Sequence, residues 1–443
     1  MKKLVSRFMA VLMAMTMILS MSMTAFAADA ADAPKGTLTV NNTVEGKTLD
    51  LYQIFTATKN GDNVAYTLNS AYEGFFQNKI TGASKLTGEA LSEKAYAYVK
   101  EQVGDDGSKG ATFAKDILGW ILSASGETKT AVESTHSTAD TADTKTVIDN
   151  LVYGYYVVYP LGATDTSTAP GNETVKSVTS LVNVTDTTVT INMKSNYPTV
   201  VKKVNDKNAD DVNIGDTVTY TLTSKVPDMT GYTSYVFNFK DTLAKGLTFG
   251  SITSVKIGDV TINADTDGTK AENTYTLTTK NNEDGTTEIK IEMNKFLASN
   301  ANKAGQEIKV TYTATLNKDA VTGFDPNTNK ATVEYSNKPG TNEKGESEPS
   351  IVDVHTFDFT IFKYYLKDET QTALANAEFE LYKANTAGNA ADTDAKINIV
   401  DEGKGVYRQA TADEAKVTGF TSAKIVSDDD GKVLVKGLEA AVS

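Results

Sequence analysis

The sequence predicts a mainly β chain built from tandem β-sandwich domains, with helices inserted into the first. Three observations carry this. From Pro198 onwards, short runs of alternating apolar and polar residues recur between Asp-Gly and other turn signals. Helical periodicity is confined to a stretch around residues 87–121. The 443 residues are enough for two to four cores, and 40% hydrophobic with 23% charged residues is the balance of a folded chain.

Residues 1–27 read as a secretory signal, so the elements of the fold begin after it. Lys2, Lys3 and Arg7 give the basic start, residues 8–21 the apolar run, and Ala25-Phe26-Ala27 the cleavage site. The apolar run is short and no stop-transfer charges follow, so it is expected to be cleaved rather than to anchor, the mature chain beginning at Ala28 with no membrane span expected in it. After a small-residue leader, residues 37–40 and 49–55 form strands, with turn chemistry at Asn41, Asn42 and Glu45-Gly46-Lys47. Leu91, Ala95, Tyr98 and Val99 follow helical spacing, with Thr87 as the cap and Gly104 as the stop. Phe113, Ile117, Trp120 and Ile121 repeat that spacing, and both stripes are expected in the core. Residues 123–145 are rich in Ser, Thr, Ala and Asp and read as a surface loop. Strands return at residues 151–159 and 180–193, so residues 28–196 make a β-domain with two inserted helices.

The next domain, residues 197–354, has no helical signal. Val218, Tyr220 and Leu222 alternate, as do Tyr235, Phe237, Phe239 and Asp241; further short strands carry Ile262, Tyr275, Ile289, Ile291, Val310 and Tyr312. Asp267-Gly268 and Asp284-Gly285 mark hairpins, and Asn329, Ala331, Val333 and Tyr335 close the series. About eight strands at this spacing predict a sandwich with Greek-key connections. The polar residues 337–350 form a loop before a short strand, or a linker. A third unit, residues 355–443, begins with the alternation of Phe357, Phe359, Ile361 and Lys363. It continues through Ala377, Phe379 and Leu381 to Val433 and Val435, is short for a sandwich, and lacks a closing strand.

Composition narrows the function. A net charge of -14 argues against a nucleic-acid partner, which needs basic patches. There is no cysteine, so any covalent staple in this exported chain must be of another kind. The two histidines, His136 and His355, stand alone, so neither a histidine triad nor a zinc site is expected, and no cofactor. Asp265-Thr266-Asp267-Gly268 and Asp428-Asp429-Asp430-Gly431 lack the full spacing of a calcium loop and read as turns.

Three polar residues stand at apolar-face positions of the middle domain: Lys202 on its first strand, Asp241 on an aromatic strand and Asn329 on its closing strand. In an extended strand Val200, Lys202 and Val204 share one face, Val201 and Lys203 the other. A lysine among core valines must lose its charge, find a carboxylate or react. Lysine, carboxylic acid and carboxamide are the parts of an internal amide crosslink. The desolvated amine is a nucleophile, the acid shuttles protons, and the amide carbon is attacked with loss of ammonia. The alternatives are an edge strand whose lysine snorkels outward and an aspartate that caps a turn.

These residues sit in three of four segments, P-T-V-V-K-K-V (198–204), I-G-D-T-V-T-Y-T-L (214–222), F-K-D-T-L-A-K-G-L-T-F (239–249) and N-K-A-T-V-E-Y-S-N (329–337). Together they resemble the isopeptide-forming middle domain of Gram-positive fimbrial subunits, the sortase-assembled major pilins. The resemblance implies Lys202 and Asn329 as the crosslinked pair and Asp241 as the catalytic acid, with Lys203 as donor if the register shifts by one. F-T-I-F-K, L-A-N-A-E-F-E-L-Y and G-K-V-L-V-K-G-L in the third unit resemble the prealbumin-like B-repeat of collagen adhesins and pilins. This implies immunoglobulin-like and prealbumin-like sandwiches, with Lys363 as a second isopeptide lysine. The family's later segment and its LPxTG-type sorting signal are not in the sequence, so the expectation is a truncated chain in which Lys363 does not crosslink.

The first domain resembles pilin N-terminal domains through Y-G-Y-Y-V-V-Y-P (153–160). Its relatives join subunits through the lysine of a Y-P-K motif; here Tyr159-Pro160 precedes Leu161 and Tyr197-Pro198 precedes Thr199, leaving Lys194 as the nearby substitute. The resemblance implies a cell-wall pilus subunit supporting adhesion, with other pilin subunits and a sortase as partners. Alternatives are a non-polymerising adhesin showing its first domain to a host or microbial ligand, for which Tyr153, Tyr155, Tyr156 and Tyr159 could form a carbohydrate face, and a secreted glycan-active enzyme, for which no carboxylate pair stands out.

Overall fold

The computed structural model describes residues 33–104, 110–122, 132–138, 141–142, 144–163, 179–193 and 197–440. The signal segment and Lys194 lie outside the described residues. The buried side chains fall into three clusters along the chain, each enclosed by sheets.

In the first unit, β1 (Lys35–Asn41), β2 (Leu49–Asn60) and β3 (Asn63–Leu68) precede α1 (Glu73–Lys79), α2 (Gly88–Val103) and α3 (Gly110–Leu122). Then come β4 (His136–Thr138), β5 (Lys145–Val152), β6 (Gly154–Pro160), β7 (Ser180–Val184) and β8 (Thr188–Asn192). One sheet runs β3-β2-β6-β7 with β4 beside β2, and the other β5-β1-β8. Among the described residues of this unit there are three α-helices where two were expected. α1 has seven residues, too few to show a period, yet Phe75 and Phe76 pack on Phe113, Trp120 and Phe55. α2 starts at Thr87 as expected, although its hydroxyl makes no capping bond, and Gly104 ends it at φ +76°.

The strand expected over residues 151–159 is two strands. β5 pairs with β1 and β6 with β2, so the chain crosses between layers at Tyr153. β6 is central and buried along its whole length, which explains its unbroken apolar run. Tyr153, Tyr155, Tyr156 and Tyr159 are therefore core residues, not a carbohydrate face. Within the expected 123–145 loop, β4 is a strand paired with β2.

The middle unit comprises β9 (Val201–Val204), β10 (Ala209–Asp211), β11 (Thr217–Lys225), β12 (Phe237–Leu243), β13 (Leu247–Ile257), β14 (Val260–Thr261), β15 (Asn263–Ala264), β16 (Thr274–Asn281) and β17 (Thr287–Met293). A one-turn helix, α4 (Phe296–Asn300), precedes β18 (Glu307–Leu316), β19 (Asn327–Ser336), β20 (Lys344–Glu346) and β21 (Ser350–His355). One sheet is β14-β13-β18-β11-β9 and the other β10-β21-β19-β12-β17-β16-β15, with β20 beside β19. Val218, Tyr220, Leu222, Phe237, Phe239 and Val333 face each other across the sandwich with almost no exposure. Two expectations are corrected here. Asp284-Gly285 turns a hairpin between β16 and β17, but Asp267-Gly268 joins β15 to β16, which pair in parallel. Residues 337–350 are no linker, because β20 lies within them and pairs with β19, and β21, which begins at Ser350, pairs with β19 as well.

The third unit holds β22 (Phe357–Phe362), β23 (Tyr364–Lys367), β24 (Thr370–Ala373), β25 (Glu378–Phe379), β26 (Tyr382–Ala384), β27 (Ala391–Lys396), β28 (Ile399–Gly403), β29 (Val406–Gln409), α5 (Ala412–Lys416), β30 (Ile425–Val426) and β31 (Lys432–Leu438). Its main sheet is β22-β31-β29-β28. The core is small: Ile399, Tyr407, Ile425, Val433 and Val435. Phe359, in the alternating run of the first strand, is exposed on the edge strand β22.

Candidate functional site

The site forms where the two sheets of the middle unit face each other. β9 is antiparallel to β11, with Lys202 opposite Leu222 and Val204 opposite Tyr220. Val200 and Val204 are buried and Val201 is exposed, so the two-residue period carries Lys202 inward. Lys202 is 1% exposed. Lys203 is half-buried on the other face and donates to Asn208 Oδ1, which removes it as the inward lysine.

Asp241 and Asn329 come from the opposite sheet. In the β12–β19 pairing Asp241 lies opposite Ala331 and Leu243 opposite Asn329, so the two polar side chains are diagonal neighbours on the inner face. They are 3% and 0% exposed. Tyr312, on β18, sits opposite Tyr220 in the lysine's sheet, and their rings stack at 5.2 Å.

One hydrogen-bonded cluster results. Lys202 Nζ is ion-paired with Asp241 Oδ2. It also donates to Tyr312 Oη at 2.7 Å. The Tyr312 hydroxyl donates to Asp241 Oδ2 at 2.8 Å and accepts from Asn329 Nδ2 at 2.7 Å. The ring centroids of Tyr220 and Tyr312 lie 4.8 and 5.1 Å from the ammonium. Asp241 Oδ1 and Asn329 Oδ1 are buried with no hydrogen-bond partner, a costly arrangement for two acceptors.

Burial pulls the Lys202 pKa down to about 8, against the opposing pull of the Asp241 charge. A lysine at that value is about one-tenth neutral amine at pH 7. Burial, then the Asp241 charge, pushes the Tyr312 hydroxyl well above the ordinary tyrosine range, so it keeps its proton. The arrangement places together the parts that one condensation would need, an amine, a carboxyl group and a carboxamide, closed off from water.

The structure thus brings Lys202, Asp241 and Asn329 into one cluster. Sequence reasoning missed Tyr312, although its hydroxyl at an inward strand position was a usable signal, since a buried tyrosine normally finds a partner. Lys363 directly follows β22 and is exposed. Asp265 and Asp428 spend carboxylate oxygens on backbone N–H groups of their own turns, as the turn reading expects.

Residues 214–339 match the family model described as Gram-positive pilin backbone subunit 2, Cna-B-like domain. The match includes Asp241 and Asn329 and begins after Lys202. Among curated proteins none matches. Similar solved structures include the T6 backbone pilin of serotype M6 Streptococcus pyogenes (17% identity, TM-score 0.46, 91% of this chain and 74% of that one). Two from Corynebacterium diphtheriae are the major pilin SpaA (17%, TM-score 0.44, 91% and 84%) and the full-length major pilin SpaD (18%, TM-score 0.43, 92% and 84%). The described residues contain no helix long and apolar enough to cross a membrane.

Proposed function

We propose that this chain is a structural subunit of a Gram-positive cell-surface pilus whose middle domain, residues 197–354, is stapled by an autocatalytic Lys202–Asn329 isopeptide bond. The domain divisions at 28–196 and 355–443, export through residues 1–27, a sortase as assembly partner, cell-wall location and support of adhesion belong to the same reading. The chemistry runs once per molecule and is maturation, not turnover.

The observation that carries the crosslink is the closed cluster of Lys202, Asp241, Tyr312 and Asn329 between the two sheets. Within the ion pair a proton passes from Nζ to Asp241, leaving a neutral amine and a carboxylic acid. Nζ attacks Cγ of Asn329, a C–N bond forms, the bond to Nδ2 breaks, and ammonia leaves. Proximity supplies most of the rate, since the reacting groups are held by packed strands. The product replaces a buried charge pair by an amide.

Intact-mass spectrometry of the full chain tests this. Loss of one ammonia lowers the mass by about 17 Da relative to the sequence. Lys202→Ala, Asp241→Ala and Asn329→Ala should each restore the uncondensed mass. A wild-type chain at the uncondensed mass overturns the crosslink.

A further inference from the structure

The crosslink joins one nitrogen and expels another, so a proton has to reach the nitrogen that leaves. We propose, resting on the crosslink reading above, that Tyr312 is a catalytic residue of the condensation, relaying a proton from Asp241 to Asn329 Nδ2.

The geometry is specific. The Tyr312 hydroxyl lies 2.7 Å from Nζ, the entering nitrogen, and 2.7 Å from Nδ2, the departing one. It is also 2.8 Å from Asp241 Oδ2, the group that takes the lysine's proton in the proposed condensation. No hydrogen bond joins Asp241 directly to Asn329 Nδ2; the hydroxyl stands between them. The ring is held in place by stacking on Tyr220 and by Phe249, 5.9 Å away.

The protons balance. Nζ, as ammonium, gives one proton to Asp241, and the free amine attacks Cγ, leaving an extra proton on Nζ and a negative Oδ1. Nδ2 becomes basic as it turns tetrahedral. Tyr312 gives its proton to Nδ2 and regains one from the Asp241 acid. The C–Nδ2 bond breaks, ammonia departs, the carbonyl re-forms, and Asp241 carboxylate takes the surplus proton from Nζ. Tyr312 ends as it began and Asp241 ends protonated. Because the phenol holds its proton tightly, the transfer through it is concerted, with no free tyrosinate.

The test is the rate of ammonia loss. The full chain is made by cell-free synthesis, samples are quenched in acid at intervals, and intact masses are read. Tyr312→Phe keeps the ring and removes the relay; the crosslink should form at least about a hundredfold more slowly, the lower end of what a positioned acid–base group contributes. Circular dichroism on the same chain reports whether it has folded. A second chain carries 3-fluorotyrosine at position 312, nearly the same size but more acidic, and its rate should change several-fold. Tyr312→Phe crosslinking at the wild-type rate, or an unchanged rate with the fluorinated residue, overturns the relay while leaving the crosslink standing. A wild-type chain that never loses ammonia removes the crosslink itself, and the relay with it.

Discussion

Lys202 shows how a strand's period can force a charge where it is least welcome. Its neighbours Val200 and Val204 are buried, so the ammonium has to be buried with them. An Asn329→Ala chain keeps this amine and cannot condense. Its folded-state pKa of about 8 lies below the unfolded 10.5, so the unfolded chain binds more protons between those values. Stability then rises with pH across that window, and the penalty is fully present below pH 8. Urea midpoints from pH 7 to 10 should show this rise, and adding Lys202→Met should remove it. Equal slopes in the two chains would mean that the buried lysine keeps its charge at all these pH values.

At the level of elements, the order of strands limits what the proposed staple can do. β19, which carries Asn329, is not the closing strand of the sandwich as the sequence suggested. β20 and β21 follow it, and β21 lies between β10 and β19. Ser350, at the start of β21, accepts the Lys202 backbone N–H at 2.9 Å, so this last strand also touches β9. In the third unit, α5 is secured by a full capping box between Thr411 and Glu414. Glu414 also pairs with the buried Arg408, and that bond, ahead of the others, holds its carboxyl down to about 2. Its share of stability is therefore present above the ordinary carboxylate range and is lost as pH falls toward 2. Thr411→Ala should cost about 1 kcal/mol and raise amide exchange in α5 before the sandwiches are affected. Unchanged exchange there would show that Arg408 alone holds the helix.

At the scale of the molecule, the units are joined by specific contacts. Lys47 of the first unit donates to Tyr335 Oη at 3.2 Å and lies 4.9 Å above the Tyr197 ring. Gly231 approaches α3 so closely, at φ +83°, that a Cβ would stand 2.6 Å from Leu122 Cβ. On the other side Ile214 N–H donates to Gly437 O at 2.9 Å and Glu439 N–H to Asn213 Oδ1 at 3.0 Å. The proposed bond closes a loop of more than about 100 residues, worth roughly 5 kcal/mol of chain entropy. Its mechanical effect is larger in kind, because the segment between the linked residues cannot extend. In single-molecule pulling, the wild-type chain should release roughly 40 nm less length than Lys202→Ala. Strands β20 and β21 lie outside the staple and should still peel. Equal extensions for the two chains would refute the load path.

The sequence determined the mainly β character, the helical insert and the inward faces of Lys202, Asp241 and Asn329, because each follows from periods of two or 3.6 residues read within one element. α1 escaped because seven residues show no period, and the crossing at Tyr153 because two strands from different sheets follow each other without a turn signal. That the inward polar groups meet was decided by tertiary structure alone. Lys202 is 39 residues from Asp241 and 110 from Tyr312, and they touch only because β9 and β18 lie in one sheet and β12 in the sheet facing it. Strand pairing over such distances depends on which faces can be buried together, a property of the packed chain that no single stretch of residues contains.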